Sequence, residues 1–215
     1  TKMNTAINKS QVITIVDYGM GNLLSVKKKI DRLTPNARIS SKPEDILASD
    51  KIILPGVGHF QKAMNNLHSL GLFEALNEAV LEKKIPVFGI CLGMQLMAKH
   101  SEEGDSTGLG WFDAEVVNFS MKNTLIYKIP HTGWNQVENK KQSKLMTEIP
   151  DRSEFYFVHA YHLKLNNKAD ALHETDYEYS FVSAVEKENI VGVQYHPEKS
   201  HTAGELMLKN FVNRY

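Results

Sequence analysis

The sequence predicts an α/β fold: an open, mostly parallel sheet with helices on both faces, and antiparallel strands added in the second half. Three observations predict it. Between residues 12 and 100, short β-branched or apolar runs alternate with helical patterning, the signature of a parallel sheet buried between two helical layers. The first, third and fourth of these runs end in glycine-bearing turns. Beyond about residue 109 the apolar residues come in short runs separated by turn signals, which suits shorter, largely antiparallel strands.

Taken in order, residues 1–10 are polar and aperiodic and read as a flexible tail, and residues 11–215 as a single domain. Val12-Ile13-Thr14-Ile15-Val16 is the first buried strand. Gly19-Met20-Gly21-Asn22 then opens a helix to about Leu33; a dinucleotide fingerprint would need glycine at Leu24 and is excluded. Ala37 to Ser40 is a short strand, Pro43 to Ala48 a short helix, and Lys51 to Leu54 a strand that stops at Pro55-Gly56-Val57-Gly58-His59-Phe60. Helical patterning runs from Gln61 to Lys84 with a break at Ser69-Leu70-Gly71. The apolar run from Ile85 ends at Gly89, and a helix follows from Leu92 to about His100. Ala114 to Phe119, Phe155 to Val158, Phe181 to Val185 and Ile190 to Val193 read as the added strands, and Thr202 to Arg214 as a closing amphipathic helix.

Composition excludes several classes. Lys plus Arg and Asp plus Glu are 25 each, so charge points to neither nucleic acid nor an anionic membrane. Neither a membrane-length apolar run nor a leader-like apolar segment is present, and the one cysteine cannot form an internal disulfide. The expectation is a cytoplasmic protein.

That cysteine carries the chemistry. Gly89-Ile90-Cys91-Leu92-Gly93 has the G-x-nucleophile-x-G form of a strand-turn-helix elbow, which presents a side chain at the carboxyl end of a strand. A buried, space-filling thiol is the alternative. A nucleophilic thiol needs a base and a group to orient it. Val193-Gln194-Tyr195-His196-Pro197-Glu198 offers both: the proline fixes the backbone so that Glu198 can turn back onto one ring nitrogen of His196 while the other faces Cys91. A solvated turn is the alternative there. The N–H groups of Gly56, Val57 and Leu92 are candidate donors of an oxyanion hole, because the Lys51–Leu54 strand and the elbow strand should end at one face of the sheet.

Together, PGVGHF at 55–60, GICLGMQL at 89–96 and GVQYHPEKS at 192–200 resemble the class I (triad) glutamine amidotransferases, whose fold is flavodoxin-like. IPHTGWNQV at 129–137 and FYFVHAY at 155–161 look like the glutaminase subunit of imidazole glycerol phosphate synthases. The resemblance runs from about Val12 to Phe211 and implies roles. Cys91 attacks the carboxamide of L-glutamine, His196 moves the proton and Glu198 orients it; Gln95 and Glu103 hold the glutamine backbone. His159-Ala160-Tyr161 lies beside the substrate, with Ala160 where relatives often carry a hydroxyl and His162 where a second aromatic is common. His131, Trp134, Asn135 and Lys199 face a partner, implied to be a (βα)8-barrel cyclase. The cyclase would use the ammonia to make imidazole glycerol phosphate and aminoimidazole carboxamide ribotide in a heterodimer. No cofactor is implied. A relative supplying ammonia for sugar amidation in surface polysaccharide synthesis is the alternative, and a non-catalytic partner-activating subunit a further one.

Other residues carry plainer expectations. His159 and His162 lie three apart without a third ligand at metal spacing, so ordinary polar contacts are expected rather than a metal. Lys27-Lys28-Lys29 reads as a solvated helix face, and Met94 and Met97 as core.

Overall fold

A computed structural model describes residues 11–215; the tail expected at 1–10 lies outside the described residues. The strands are β1 Ile13–Val16, β2 Ala37–Ser40, β3 Lys51–Leu54, β4 Val87–Ile90, β5 His100–Ser101, β6 Ser106–Thr107, β7 Ala114–Asn118, β8 His131–Gln136, β9 Glu138–Asn139, β10 Glu154–His159, β11 Tyr161–Leu165, β12 Ala171–Tyr177, β13 Tyr179–Lys187 and β14 Ile190–Val193. The α-helices are α1 Leu23–Asp31, α2 Pro43–Leu47, α3 Phe60–Ser69, α4 Leu72–Asn77, α5 Leu92–Gln95 and α6 His201–Arg214, with a π-helical stretch over Glu78–Glu82.

The main sheet runs β2-β1-β3-β4-β14-β13-β11-β7-β5-β6, with β12 and β9 branching from β13. From β2 to β14 every pairing is parallel. β13 then pairs antiparallel with β14, and β11 with β13 and β7. β8 and β10 form a separate antiparallel pair. The fold is therefore the expected α/β architecture, with one correction: Ile190–Val193 is not an added strand but the last strand of the parallel core, seated against β4 with Gly192 opposite Gly89. An apolar run of four residues carries no information about the direction of its neighbour.

The pleat of the parallel strands feeds two cores. Ile13, Ile15, Ile53, Phe88, Ile90, Val191 and Val193 pack with Val26 and Ile30 of α1 and Met207, Leu208 and Phe211 of α6. Val16, Ile52, Leu54, Val87 and Ile190 pack with Phe60, Met64, Leu67, Leu72 and Leu76 of α3 and α4 on the other face. Successive side chains of a strand point to opposite faces, so strands covered on both sides are apolar throughout. Asn22 caps α1 by accepting from the Ser25 N–H, and Gly71, at φ 70, separates α3 from α4. Lys27 pairs with Asp31 at 2.7 Å one turn along the exposed face of α1.

The helix expected from Leu92 to His100 is only one turn long. The carbonyls of Leu96, Met97 and Ala98 accept from Leu109, Phe112 and Gly110, so the backbone after Gln95 bonds to the 108–112 segment instead of extending a helix. Met94 and Met97 are buried as expected, lying over Gly89 and Gly192. Among the described residues no helix is long and apolar enough to cross a membrane.

Candidate active site

Cys91 sits at φ 54 and ψ −111, a conformation uncommon outside glycine, between β4 and α5. Its N–H donates to the Val193 carbonyl at 2.8 Å, tying the turn to β14. Close approach makes the elbow possible: a Cβ on Gly93 would lie 1.8 Å from the Leu54 carbonyl oxygen, so only glycine lets α5 rest on the end of β3.

β14 leads directly to His196, which brings the second member of the expected triad to the same sheet end. Nδ1–H of His196 donates to Glu198 Oε1 at 2.7 Å, with both side chains almost wholly buried. The turn is held from behind: the His196 N–H donates to the Tyr156 carbonyl, and the Ser200 hydroxyl donates to the His196 carbonyl while accepting from the Tyr156 N–H. Nε2 of His196 is buried and makes no hydrogen bond of ordinary geometry, yet it is close enough to Cys91 for the sulfur to act on it. Burial opposes the charged ring, but Cys91 and Glu198 outweigh it and push the imidazole up to about 10.

A cavity of about 410 Å³ opens beside the sulfur. Val57, Gly58, Cys91, Leu92, Gln95 and Glu103 line one side, and Pro130, Val158, His159, Ala160 and Tyr161 the other. Gln95 is held by two bonds from Nε2, to the Tyr161 carbonyl at 3.2 Å and to Gln194 Oε1 at 3.1 Å. Glu103 rides the β5–β6 turn, and its Oε1 accepts from the Phe60 N–H at 2.7 Å. Ala160 offers no side-chain hydrogen bond; its carbonyl accepts from the Phe119 N–H.

The expected oxyanion donors are not assembled. The Leu92 N–H donates to the Gly56 carbonyl at 3.2 Å instead of facing the cavity. Gly56 rests on the hydroxyl of Tyr18, which donates to the Pro55 carbonyl, while half-exposed Val57 lines the cavity. The Gly56 carbonyl and the Val57 N–H belong to one peptide unit, so turning it would release the Leu92 N–H and redirect that of Val57 together.

Of the residues expected to face a partner, Trp134 and Lys199 are exposed and Asn135 is half-buried, whereas His131 is buried. The reason is an aromatic box around Phe119, Phe157, Tyr177 and Phe181, which His131, His159 and His162 enter from neighbouring strands. Their bonds fix the tautomers. His159 Nδ1–H donates to the Tyr161 carbonyl, so its Nε2 accepts from His131 Nδ1–H at 2.9 Å, and His131 Nε2 accepts from Asn135 at 3.2 Å. His162 donates to the Leu163 carbonyl and accepts from the Tyr179 hydroxyl. An extra proton would set donor against donor. Burial lowers His131 to about 4 and His159 well below its ordinary value.

These shifts give a pH profile for stability. His131, and His173, which burial lowers to about 3, fold neutral; their stabilisation is complete above pH 6.5 and is lost as pH falls toward 4 and below. His196 has the opposite sign: its contribution is complete below pH 6.5 and is lost as pH rises through about 10. The urea midpoint is expected to peak near pH 6.5 and fall on both sides. Lys51, which burial lowers to about 8, works in the opposite direction above that pH, so the His196 assignment is read between pH 6.5 and 8, where a midpoint still rising would contradict it.

Sequence reasoning missed the second anchor of the sulfur. The fully buried Gln194 directs Nε2 at Cys91 Sγ from 3.7 Å. The signal was a polar residue ending an otherwise apolar strand, on the same side of the pleat as Gly192 and hence toward α5. Tyr156, Ser200 and the Val158 carbonyl, 4.0 Å from Sγ, are likewise visible only in three dimensions.

Comparison with known proteins identifies the family. Residues 14–214 match the glutamine amidotransferase class-I family, and the chain belongs to that family of glutaminase enzymes. Similar solved structures include a glutamine amidotransferase at 18% identity and TM-score 0.72, covering 93% of this chain and 96% of that one. The glutaminase domain of Trypanosoma brucei CTPS with bound acivicin shares the fold at 20% identity and TM-score 0.64, with 94% and 92% covered. Within the family the chain groups with HisH, the imidazole glycerol phosphate synthase subunit. It is 46% identical over 203 residues to HisH 2 of Methanococcus maripaludis, covering 94% of this chain and 100% of the relative. It is 42% identical over 201 residues to HisH 2 of Pseudomonas aeruginosa, with 94% and 98% covered.

Proposed function

We propose that the protein hydrolyses L-glutamine with a Cys91–His196–Glu198 triad and passes the ammonia to a (βα)8-barrel cyclase, with which it forms a heterodimer for histidine biosynthesis. The observation that carries this reading is the meeting of an elbow cysteine and a carboxylate-oriented imidazole beside a cavity whose wall includes Gln95 and Glu103. Glu103 is a suitable counter-charge for the substrate's α-ammonium, and the Gln95 carboxamide, fixed by its two bonds, presents Oε1 as an acceptor.

Sγ attacks the side-chain carbonyl carbon of glutamine, and the tetrahedral oxyanion collapses to a γ-glutamyl thioester as His196 gives a proton to the departing nitrogen. Water, deprotonated by the same imidazole, then cleaves the thioester and releases glutamate. Glu198 keeps Nδ1 protonated so that Nε2 does both tasks. Ammonia released to water at neutral pH would take a proton and lose its nucleophilicity, which is the physical reason for direct transfer to the cyclase, where the products are imidazole glycerol phosphate and aminoimidazole carboxamide ribotide.

The bond between Leu92 N–H and Gly56 carbonyl leaves the lone subunit short of oxyanion donors. Glutaminase activity of the isolated chain is therefore expected to be at least about 100-fold below that of the complex, the usual cost of a missing oxyanion donor. Equal activity with and without the cyclase would sink the reading of Gly56, Val57 and Leu92 as partner-set donors. A second acceptor, a sugar amidated for surface polysaccharide, is kept open by Ala160 and His162, which depart from the pattern of the family at that edge; identifying the barrel subunit that co-purifies with the chain decides between them.

A further inference from the structure

Gln194 has no part in the proposed mechanism beyond its contact with the sulfur. It is fully buried, does not line the cavity and is followed two residues later by His196. Its carboxamide orientation is forced from one end. Gln95 Nε2 has two N–H groups and two acceptors, the Tyr161 carbonyl and Gln194 Oε1; flipping Gln95 would set its oxygen against both. With Oε1 of Gln194 taken, its NH2 group must face Cys91 Sγ, at 3.7 Å. The Val158 carbonyl, 4.0 Å from the sulfur, is an acceptor and supplies no N–H. The α5 helix is a single turn and adds little dipole of its own.

We infer that Gln194 is a positioning residue for the nucleophile: it donates to the Cys91 sulfur and, through Gln95, couples the wall of the glutamine cavity to the reacting atom. An N–H aimed at sulfur holds the thiolate in one rotamer and is strongest for the charged form. Because Gln95 touches both the cavity and Gln194, ligand that pulls on the Gln95 carboxamide also tightens the donor on the sulfur. Gln194 itself touches no substrate, so its loss falls more heavily on turnover than on binding. The inference rests on Cys91 being the glutaminase nucleophile.

The test uses the full chain with its cyclase for glutamine hydrolysis, and the full chain alone for alkylation of Cys91 by iodoacetamide followed by intact mass. Gln194→Met and Gln194→Leu keep nearly the same volume and lack the donor. Each is expected to lower kcat about tenfold to a hundredfold, the worth of one hydrogen bond to a charged group, with KM for glutamine changed less than about twofold. Alkylation slows in parallel. A folded variant with unchanged kcat and alkylation rate overturns the inference, as does a rise in KM with kcat intact. Should either variant misfold, the other is read by the same two measurements. The wild-type chain separates the two readings: no alkylation and no glutamine hydrolysis there counts against Cys91 as the nucleophile, whereas a reactive wild type with indifferent variants counts against Gln194.

Discussion

Cys91→Ala removes glutamine-dependent turnover of the complex while ammonia-dependent turnover by the cyclase continues. No other described residue takes the place of the sulfur: the Gln194 carboxamide and the Val158 carbonyl beside it are not nucleophiles under these conditions, and the neighbouring His196 imidazole serves as the base. Loss of a covalent nucleophile costs on the order of 10⁴- to 10⁶-fold in kcat in comparable triads. The substitution deletes one heavy atom from a position at the rim of the core, so the fold and the docking to the cyclase should survive. The measurement is product formation with glutamine against product formation with ammonium at high pH. Equal loss of both would mean that Cys91 supports assembly and not glutamine cleavage.

Glu198→Gln has the second largest effect. The carboxylate accepts from His196 Nδ1–H at 2.7 Å in a nearly dry site, and a carboxamide there can present its NH2 group to the ring, favouring the tautomer with its proton on Nε2. The imidazole then cannot take a proton from the thiol. A fall in kcat of about 10²- to 10⁴-fold is expected, the upper end being that of the analogous change in a serine triad. With the carboxylate gone, one of the groups holding His196 near 10 is lost, so the alkaline fall in stability moves to lower pH. An activity within a few-fold of wild type would show that Glu198 caps the turn and does not orient the base.

The parallel half of the fold was legible in the sequence because its strands end at turns with definite chemistry. Pro55-Gly56, the Gly89–Gly93 elbow and the Gly71 break each correspond to a boundary in the structure. The nucleophile helix was overextended because helical patterning describes side chains, whereas the Leu96, Met97 and Ala98 carbonyls are claimed by a segment ten or more residues downstream. β8, β11 and β12 went unread because they are half-polar; in β8 the exposed Thr132, Trp134 and Gln136 alternate with His131, Gly133 and Asn135, buried or half-buried but hardly apolar, a weak signal in six residues. His131 was placed at the partner-facing side by the resemblance of its motif, which carries no information about burial in this chain. Its burial depends on His159 and Asn135 completing its hydrogen bonds, and only one of those partners is near it in sequence.

One strand touches both halves of the chemistry. β10 binds the His196 turn through the N–H and C=O of Tyr156 and meets the Cys91 sulfur through the carbonyl of Val158, while its partner β8 carries Trp134 outward, stacked on His201 at 5.0 Å. All three of those inward links use main-chain atoms. Side chains on the outer face of this hairpin are therefore free to diverge, rewriting which surface the subunit recognises, without disturbing the alignment of nucleophile and base. A family built this way can change customers while keeping its reaction.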